Sequence, residues 1–137
     1  MLNFISKEPI DKGWSEDKKY CVTAMDGRKY LLRISAVDQY DKRKSGYERM
    51  KRVAALGIPM CQPIEFNTCE DGIYSIQSWI DGADAEEIMS TQTDTKQYVY
   101  GLEAGRILSK IHSIPAPTTQ EDWESRFNRK MDDKIKK

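Results

Sequence analysis

Residues 18–35 read KKYCVTAMDGRKYLLRIS, and this stretch predicts a β-hairpin. Two runs rich in Tyr, Val, Thr, Leu and Ile flank the pair Asp26-Gly27, which accepts the positive φ angles of a type I′ turn. Because side chains alternate along a strand, the second run turns Arg33 away from the face that holds its apolar residues. A charge on such a strand is costly to bury unless another group pairs with it. The sequence therefore raises the question of what pairs with Arg33.

The segments on either side of this hairpin complete an α+β pattern. Before it, residues 9–20 predict the end of a first strand followed by a loop. After it, apolar residues recur at helical spacing within residues 38–58, which predicts a charged helix. Residues 62–80 then predict a second hairpin that turns at Asp71-Gly72. This order indicates a five-stranded antiparallel sheet carrying one helix.

The remainder of the chain predicts one more helix and a polar tail. The helix is expected over Asp94–His112, with Asp94 and Gln97 in positions that resemble a capping box. One face of this helix is an apolar stripe that needs a partner, and it comprises Tyr98, Leu102, Gly105, Leu108 and Ile111. The tail cannot form a core by itself, so Trp123 and Phe127 are expected to dock on another surface or on a part of the protein that is missing here.

Composition restricts the class of protein. Lys+Arg and Asp+Glu each total 22, and no block of like charge indicates a nucleic-acid or membrane-surface partner. The three cysteines lack C-x-x-C spacing and histidine partners, which favours free thiols over a zinc site. No apolar window has the length of a signal peptide or a membrane span. We therefore expect a cytoplasmic protein of about one domain, with no metal site and no nucleic-acid or membrane partner.

The order of elements resembles the small lobe of protein kinases. Four segments stand at the places of the nucleotide loop, the strand with the phosphate-binding cation, the helix paired with it and the hinge: residues 12–20, 30–35, 46–59 and 76–82. With LEAGRILSKIHSIPAP added at residues 102–117, the chain is similar to the N-terminal part of the aminoglycoside phosphotransferase family, relatives of choline kinase. The resemblance covers most of residues 9–117.

The resemblance implies a role for Arg33. In the family this position is a cation that contacts the α and β phosphates of a nucleotide and is held by a carboxylate of the following helix, here Glu48. The residues alone leave simpler alternatives open. Arg33 could lie at a sheet edge with its charge in water. Glu48 could instead pair with Lys44 and Arg52, four residues to either side on a solvated helix face.

The resemblance also implies roles for five further residues. Gly13 and Ser15 would belong to the loop that covers the phosphates, although without the resemblance they would form an ordinary hairpin loop. The carbonyl of Ser78 and the amide of Ile80 would bind the base, with Gln77 behind it. All of these are expectations about nucleotide binding.

The same resemblance divides the chain and names its ligands. Residues 1–80 would form the nucleotide-binding lobe, and residues 81–137 the hinge connector and first helices of the large lobe. ATP or GTP with Mg²⁺ would be the cofactors, and an aminoglycoside-like or other small-molecule alcohol the acceptor. The family's catalytic loop, resembling H-G-D-x-x-x-x-N, and its metal-binding Asp are not found in these 137 residues. We therefore assign no catalytic or metal-binding residue and expect this chain alone to be inactive.

Two alternatives remain open from the sequence. The chain could be a non-catalytic interaction domain in which the stripe of the 94–112 helix binds a partner or a second copy. It could also be an unrelated antiparallel α+β domain, which would lack a contact between Arg33 and Glu48.

Overall fold

The computed structural model describes residues 3–136 of the chain. Its five strands form one antiparallel sheet in the order β1-β2-β3-β5-β4. The strands are β1 (Phe4–Pro9), β2 (Lys18–Ala24), β3 (Lys29–Ser35), β4 (Pro63–Cys69) and β5 (Gly72–Ser78). The α+β class and the five-stranded sheet of a kinase-like small lobe are confirmed.

Four α-helices accompany the sheet. They are α1 (Tyr40–Ala54), α2 (Ala85–Ile88), α3 (Asp94–His112) and α4 (Trp123–Ile135). Short 3-10 turns at Val37–Gln39 and Met89–Thr91 lead into α1 and follow α2. Within residues 3–136, no helix combines the length and the hydropathy that a bilayer-spanning segment needs.

The hydrophobic core lies on one face of the sheet. Its buried residues come from the three inner strands: Val22, Ala24, Tyr30, Leu32, Ile34, Tyr74 and Ile76. Along β3 the buried positions alternate with partly exposed ones, as the sequence predicts. Arg33 therefore lies on the face opposite the core, where a second layer is needed to cover it.

Helix α1 covers part of that second face by packing on β4. The rings of Tyr40 and Tyr47 lie 5.7 Å and 5.4 Å from the ring of Phe66, measured between centroids. This aromatic cluster fixes which side of α1 turns toward the sheet. The gap between α1 and the sheet, next to the cluster, is the place of the candidate site.

The first hairpin differs from the predicted type I′ turn. Gly27 has φ +81°, but Met25 and Asp26 do not take the positive φ that a type I′ turn requires. The Gly27 amide donates to the Ala24 carbonyl, and the Ala24 amide donates to the Arg28 carbonyl, both at 2.9 Å. The loop is thus a type I turn followed by a left-handed glycine. Asp26 stabilises it by accepting hydrogen bonds from the amide and Nε of Arg28.

The second hairpin turns through Glu70-Asp71, one residue earlier than predicted, because Cys69 pairs with Gly72. Gly72 has φ +129°, and a Cβ there would lie 2.3 Å from the Ser35 carbonyl oxygen. Only glycine fits at this position, since the end of β3 passes directly over it.

Helix α3 has the predicted bounds but a different cap. The Thr93 hydroxyl accepts a hydrogen bond from the Lys96 amide at 3.4 Å. Asp94 is therefore the first helical residue and not the cap, and the side chain of Gln97 donates to the Gln92 carbonyl at 3.0 Å. The expected capping pair is wrong by one position.

Helix α4 was not predicted, and within residues 3–136 its aromatic residues contact each other; whether they dock on a further surface stays a prediction. Trp123 and Phe127 stack on each other with centroids 4.9 Å apart, and Trp123 remains 67% exposed. The signals for a helix were the Asp122 cap, whose side chain accepts from the Ser125 amide, and apolar residues at four-residue spacing. The expected domain boundary at residue 80 stays a prediction.

Candidate functional site

The candidate site is a cleft of about 220 Å³ between α1 and the face of the sheet that carries Arg33. Antiparallel register sets this face, since Arg33 is paired with Ser75 and Leu31 with Gln77. From the sheet, the cleft is lined by Arg33, Ser35, Ser75 and Gln77, among others. From α1, it is lined by Lys42, Arg43, Gly46, Tyr47, Arg49 and Met50.

Asp17, the residue before β2, pairs with Arg33. Its side chain is only 4% exposed, and its Oδ2 accepts from Arg33 Nη2 at 2.8 Å. Its Oδ1 accepts from the Ser35 hydroxyl at 2.7 Å and from Arg43 Nη2 at 2.5 Å. One buried carboxylate thus joins the loop before β2, strand β3 and helix α1.

The electrostatics of this cluster keep Asp17 ionised. Burial raises the pKa of the Asp17 carboxyl, but the hydrogen bonds from Ser35 and Arg33 and the charges of Arg43 and Arg33 outweigh it. The net effect holds the pKa below its ordinary value of 3.8. The carboxylate is therefore charged at neutral pH, as both guanidinium partners require.

The expected pairing of Arg33 with Glu48 is wrong. Glu48 is exposed and pairs with Lys51 at 3.2 Å. Within residues 3–136 it forms no ion pair with Lys44 or Arg52, so that alternative is wrong as well. The reason is the phase of α1. Tyr47 packs on the sheet, and the next residue of a helix points about 100° away from it.

The loop between β1 and β2 contacts Arg33 through Ser15, whose hydroxyl lies 3.4 Å from Arg33 Nη2. Gly13 has φ +100°, and a Cβ there would lie 2.9 Å from the Lys19 ammonium, which favours glycine. The loop is also tied to α2, because Lys12 pairs with Asp84 at 3.2 Å and with Glu87.

The residues predicted to bind the base lie around the end of β5. Gln77 is buried in the cleft, and its Oε1 accepts from the Cys61 thiol at 3.2 Å. Ser78 lies outside the cleft lining; its amide donates to the Gln62 carbonyl at 2.9 Å, and its hydroxyl accepts from the Gln62 amide. Ile80 follows β5 and is 61% exposed. The cleft therefore brings Gln77 near Arg33 but does not include Ser78 or Ile80.

Asp17 and Arg43 were not predicted as site residues, although the spacing of each in the sequence indicates which face it lies on. Asp17 lies two residues before Lys19, which pairs with Arg33, so both acid and cation belong to one face of the sheet. Arg43 precedes Tyr47 by four residues and shares its face of α1. Neither spacing shows that Asp17 and Arg43 meet, because that depends on how α1 packs against the sheet.

The cleft has the chemistry of an anion site. Four cations line it, namely Arg33, Lys42, Arg43 and Arg49, and Asp17 is the one acid among the described residues that do so. The Nε of Arg43 is buried without a hydrogen-bond partner in the described part of the chain. A guanidinium offers a flat fork of donors that suits phosphate oxygens. The arrangement can therefore bind a phosphate-bearing ligand.

All three cysteines are free. Over residues 3–136, no group of three or more His, Cys, Asp or Glu side chains is placed to hold a metal ion.

The family model of the phosphotransferase enzyme family matches residues 7–137, a range that includes both hairpins, α1 and α3. No curated protein matches the chain.

Proposed function

The chain belongs to the phosphotransferase enzyme family, and from this membership we propose that it is the nucleotide-binding part of an ATP- or GTP-dependent kinase. Its acceptor would be a small-molecule hydroxyl, of an aminoglycoside or another alcohol. The observation that carries the proposal is the position of Arg33 in a cleft lined by cations and adjoining the nucleotide loop.

The proposal assigns contacts to the nucleotide. Arg33 contacts the phosphates, with Gly13 and Ser15 in the loop that covers them. The Ser78 carbonyl and the Ile80 amide bind the base beside the cleft, with Gln77 behind it. The cations of α1 add a favourable field for an anionic ligand. Glu48 loses its proposed role, because it is exposed and paired with Lys51.

Binding without turnover is the activity we propose for these 137 residues. They contain no segment resembling H-G-D-x-x-x-x-N, so we assign none of them to acceptor activation. Mg²⁺ accompanies the nucleotide in this proposal, and no residue of the chain is assigned to it. A cytoplasmic location belongs to the same proposal, since three free thiols suit a reducing compartment.

A second candidate function is a protein-interaction domain, possible partners including a second copy. The apolar stripe of α3 favours it, because Tyr98, Leu102 and Leu108 are all exposed, Tyr98 by 73%.

Calorimetric titration with ATP and with GTP, each with Mg²⁺, tests the proposal. Saturable binding is expected for the wild type, and Arg33→Ala should weaken it at least about tenfold, since a charge-assisted phosphate contact contributes roughly 1.4 kcal/mol or more. Arg28→Ala is the matched control, because it removes the same charge from the same hairpin at an exposed turn.

Two results would contradict the proposal. One is the absence of nucleotide binding by the wild type. The other is an equal loss of affinity in Arg28→Ala and Arg33→Ala. Such a result would mean that the loss comes from the lower net charge of the protein and not from a contact between Arg33 and the phosphates.

A further inference from the structure

We propose that Asp17 is the positioning residue for Arg33, so that the phosphate-binding cation is held by the nucleotide loop and not by a carboxylate of α1. This inference rests on the proposed nucleotide-binding function. It concerns how the cation is oriented before the ligand arrives.

Both side-chain oxygens of Asp17 accept hydrogen bonds from fixed partners. Its two oxygens are used separately: Oδ2 by Arg33, and Oδ1 by Ser35 and Arg43. The side chain is almost fully buried, so movement away from these donors would leave a buried charge unpaired. Asp17 therefore fixes the direction of the Arg33 guanidinium.

Among the described residues that line the cleft, α1 supplies no acidic side chain that could replace Asp17. The α1 residues that line the cleft are basic, apolar or glycine, and they are Lys42, Arg43, Gly46, Tyr47, Arg49 and Met50. The contribution of α1 to the cluster is a cation, Arg43, which binds the second oxygen of Asp17. The helix thus stabilises the positioning residue without contacting Arg33 through a carboxylate.

Arg33 retains hydrogen-bond donors beyond the one that Asp17 and Ser15 use. Its hydrogen bonds to Asp17 and Ser15 both use Nη2, so Nη1 and Nε make no hydrogen bond within residues 3–136. A guanidinium carries five N–H donors in a rigid plane. Arg33 can therefore donate to phosphate oxygens through Nη1 and Nε while Asp17 keeps its hold on Nη2.

The loop between β1 and β2 is therefore connected directly to Arg33. Ser15 and Asp17 lie on one loop, and both contact Arg33. The loop proposed to cover the nucleotide therefore also orients the cation before the ligand arrives.

A double-mutant cycle on nucleotide affinity tests the inference in the full chain. Asp17→Asn keeps the shape of the side chain but removes its charge, and it should weaken Mg-ATP binding at least about tenfold. In an Arg33→Ala background the same substitution should change the affinity by less than about twofold, because Asp17 acts through Arg33. Glu48→Gln is the control and should bind as the wild type does.

The outcomes separate this inference from the proposed function. Wild-type binding together with unchanged affinity in Asp17→Asn overturns the inference alone. So does a loss that persists in the Arg33→Ala background, since that would be a general structural effect. No binding by the wild type overturns the proposed function and the inference with it.

A measurement on the unmutated chain covers the case in which Asp17→Asn does not fold. NMR of arginine side chains, with Arg33 assigned by Arg33→Lys, should detect hindered rotation of the Arg33 guanidinium without nucleotide. A freely rotating Arg33 would overturn the inference.

Discussion

The buried carboxylate of Asp17 is tolerated because each of its oxygens has a charged donor. Burying a carboxylate without charged partners would be strongly unfavourable. Removing one partner of such a cluster destabilises the fold, because it leaves a buried charge without full compensation. Arg33 and Arg43 are less sensitive, since about 30% of each side chain is in contact with water. Asp17 is therefore the residue on which the cluster depends.

This dependence predicts the acid stability of the chain. The folded pKa of Asp17 lies below its ordinary value of 3.8, so its contribution is complete above that pH and is lost as pH falls through the folded pKa. Asp17→Asn should lower the free energy of unfolding at neutral pH by about 1–3 kcal/mol and flatten its acid dependence. Urea unfolding from about pH 7 to about pH 3 measures both quantities. An acid slope in Asp17→Asn equal to that of the wild type would contradict this assignment.

The side of β3 on which Arg33 lies was predictable, but its partner was not. Strand alternation alone assigns Arg33 to the face opposite Leu32. The partner depends on how a loop and a helix meet over that face, which local sequence patterns do not encode. Glu48 was a wrong partner because it lies one position away from the sheet-facing Tyr47 on α1.

Glycines at two places show how the elements constrain the sequence. Gly72 starts β5 with a positive φ and lies under the end of β3. Gly46 has the opposite setting: it lies inside α1, and a Cβ there would meet nothing closer than Arg49 Nη2 at 4.0 Å. The first position requires glycine, whereas the second only tolerates it.

These two glycines give predictions of opposite sign. Gly72→Ala should lower the free energy of unfolding by about 1–3 kcal/mol, because it adds strain and a contact with the Ser35 carbonyl. Gly46→Ala should raise it by up to about 1 kcal/mol, since alanine is the better helix former. Denaturant unfolding of both variants tests this pair, and stabilisation by Gly72→Ala would contradict the turn geometry.

Elements with strong patterns were predicted well. The bounds of α3 follow from its apolar period, and both hairpins form where their Asp-Gly pairs predict them, although the second turns one residue earlier. The first turn differs from the predicted type I′ because the Asp26 side chain accepts a hydrogen bond from the Arg28 amide. The Asp-Gly pair alone does not reveal this local preference. Helix α4 was not predicted because its sequence is mainly polar and its apolar residues recur only at four-residue spacing.

The molecule as a whole has two kinds of surface. The sheet and α1 enclose a cation-lined cleft, while α3 and α4 present exposed apolar side chains. The part closest to the candidate site is linked to the C-terminal part by Arg52, which donates to the Pro115 carbonyl at 3.0 Å. The cleft favours the proposal of nucleotide binding, and the exposed stripe of α3 favours the alternative proposal of an interaction domain.

Amide NMR of the labelled chain, titrated with Mg-ATP and then diluted, compares both functions in one sample. If the cleft binds nucleotide, Mg-ATP should shift the amide signals of Ser15, Asp17, Arg33, Gln77 and Ile80 and leave those of α4 unaffected. The absence of nucleotide-dependent shifts at the cleft would contradict nucleotide binding. In that case, shifts at Tyr98, Leu102 and Leu108 that change with protein concentration would identify the chain as a self-associating interaction domain.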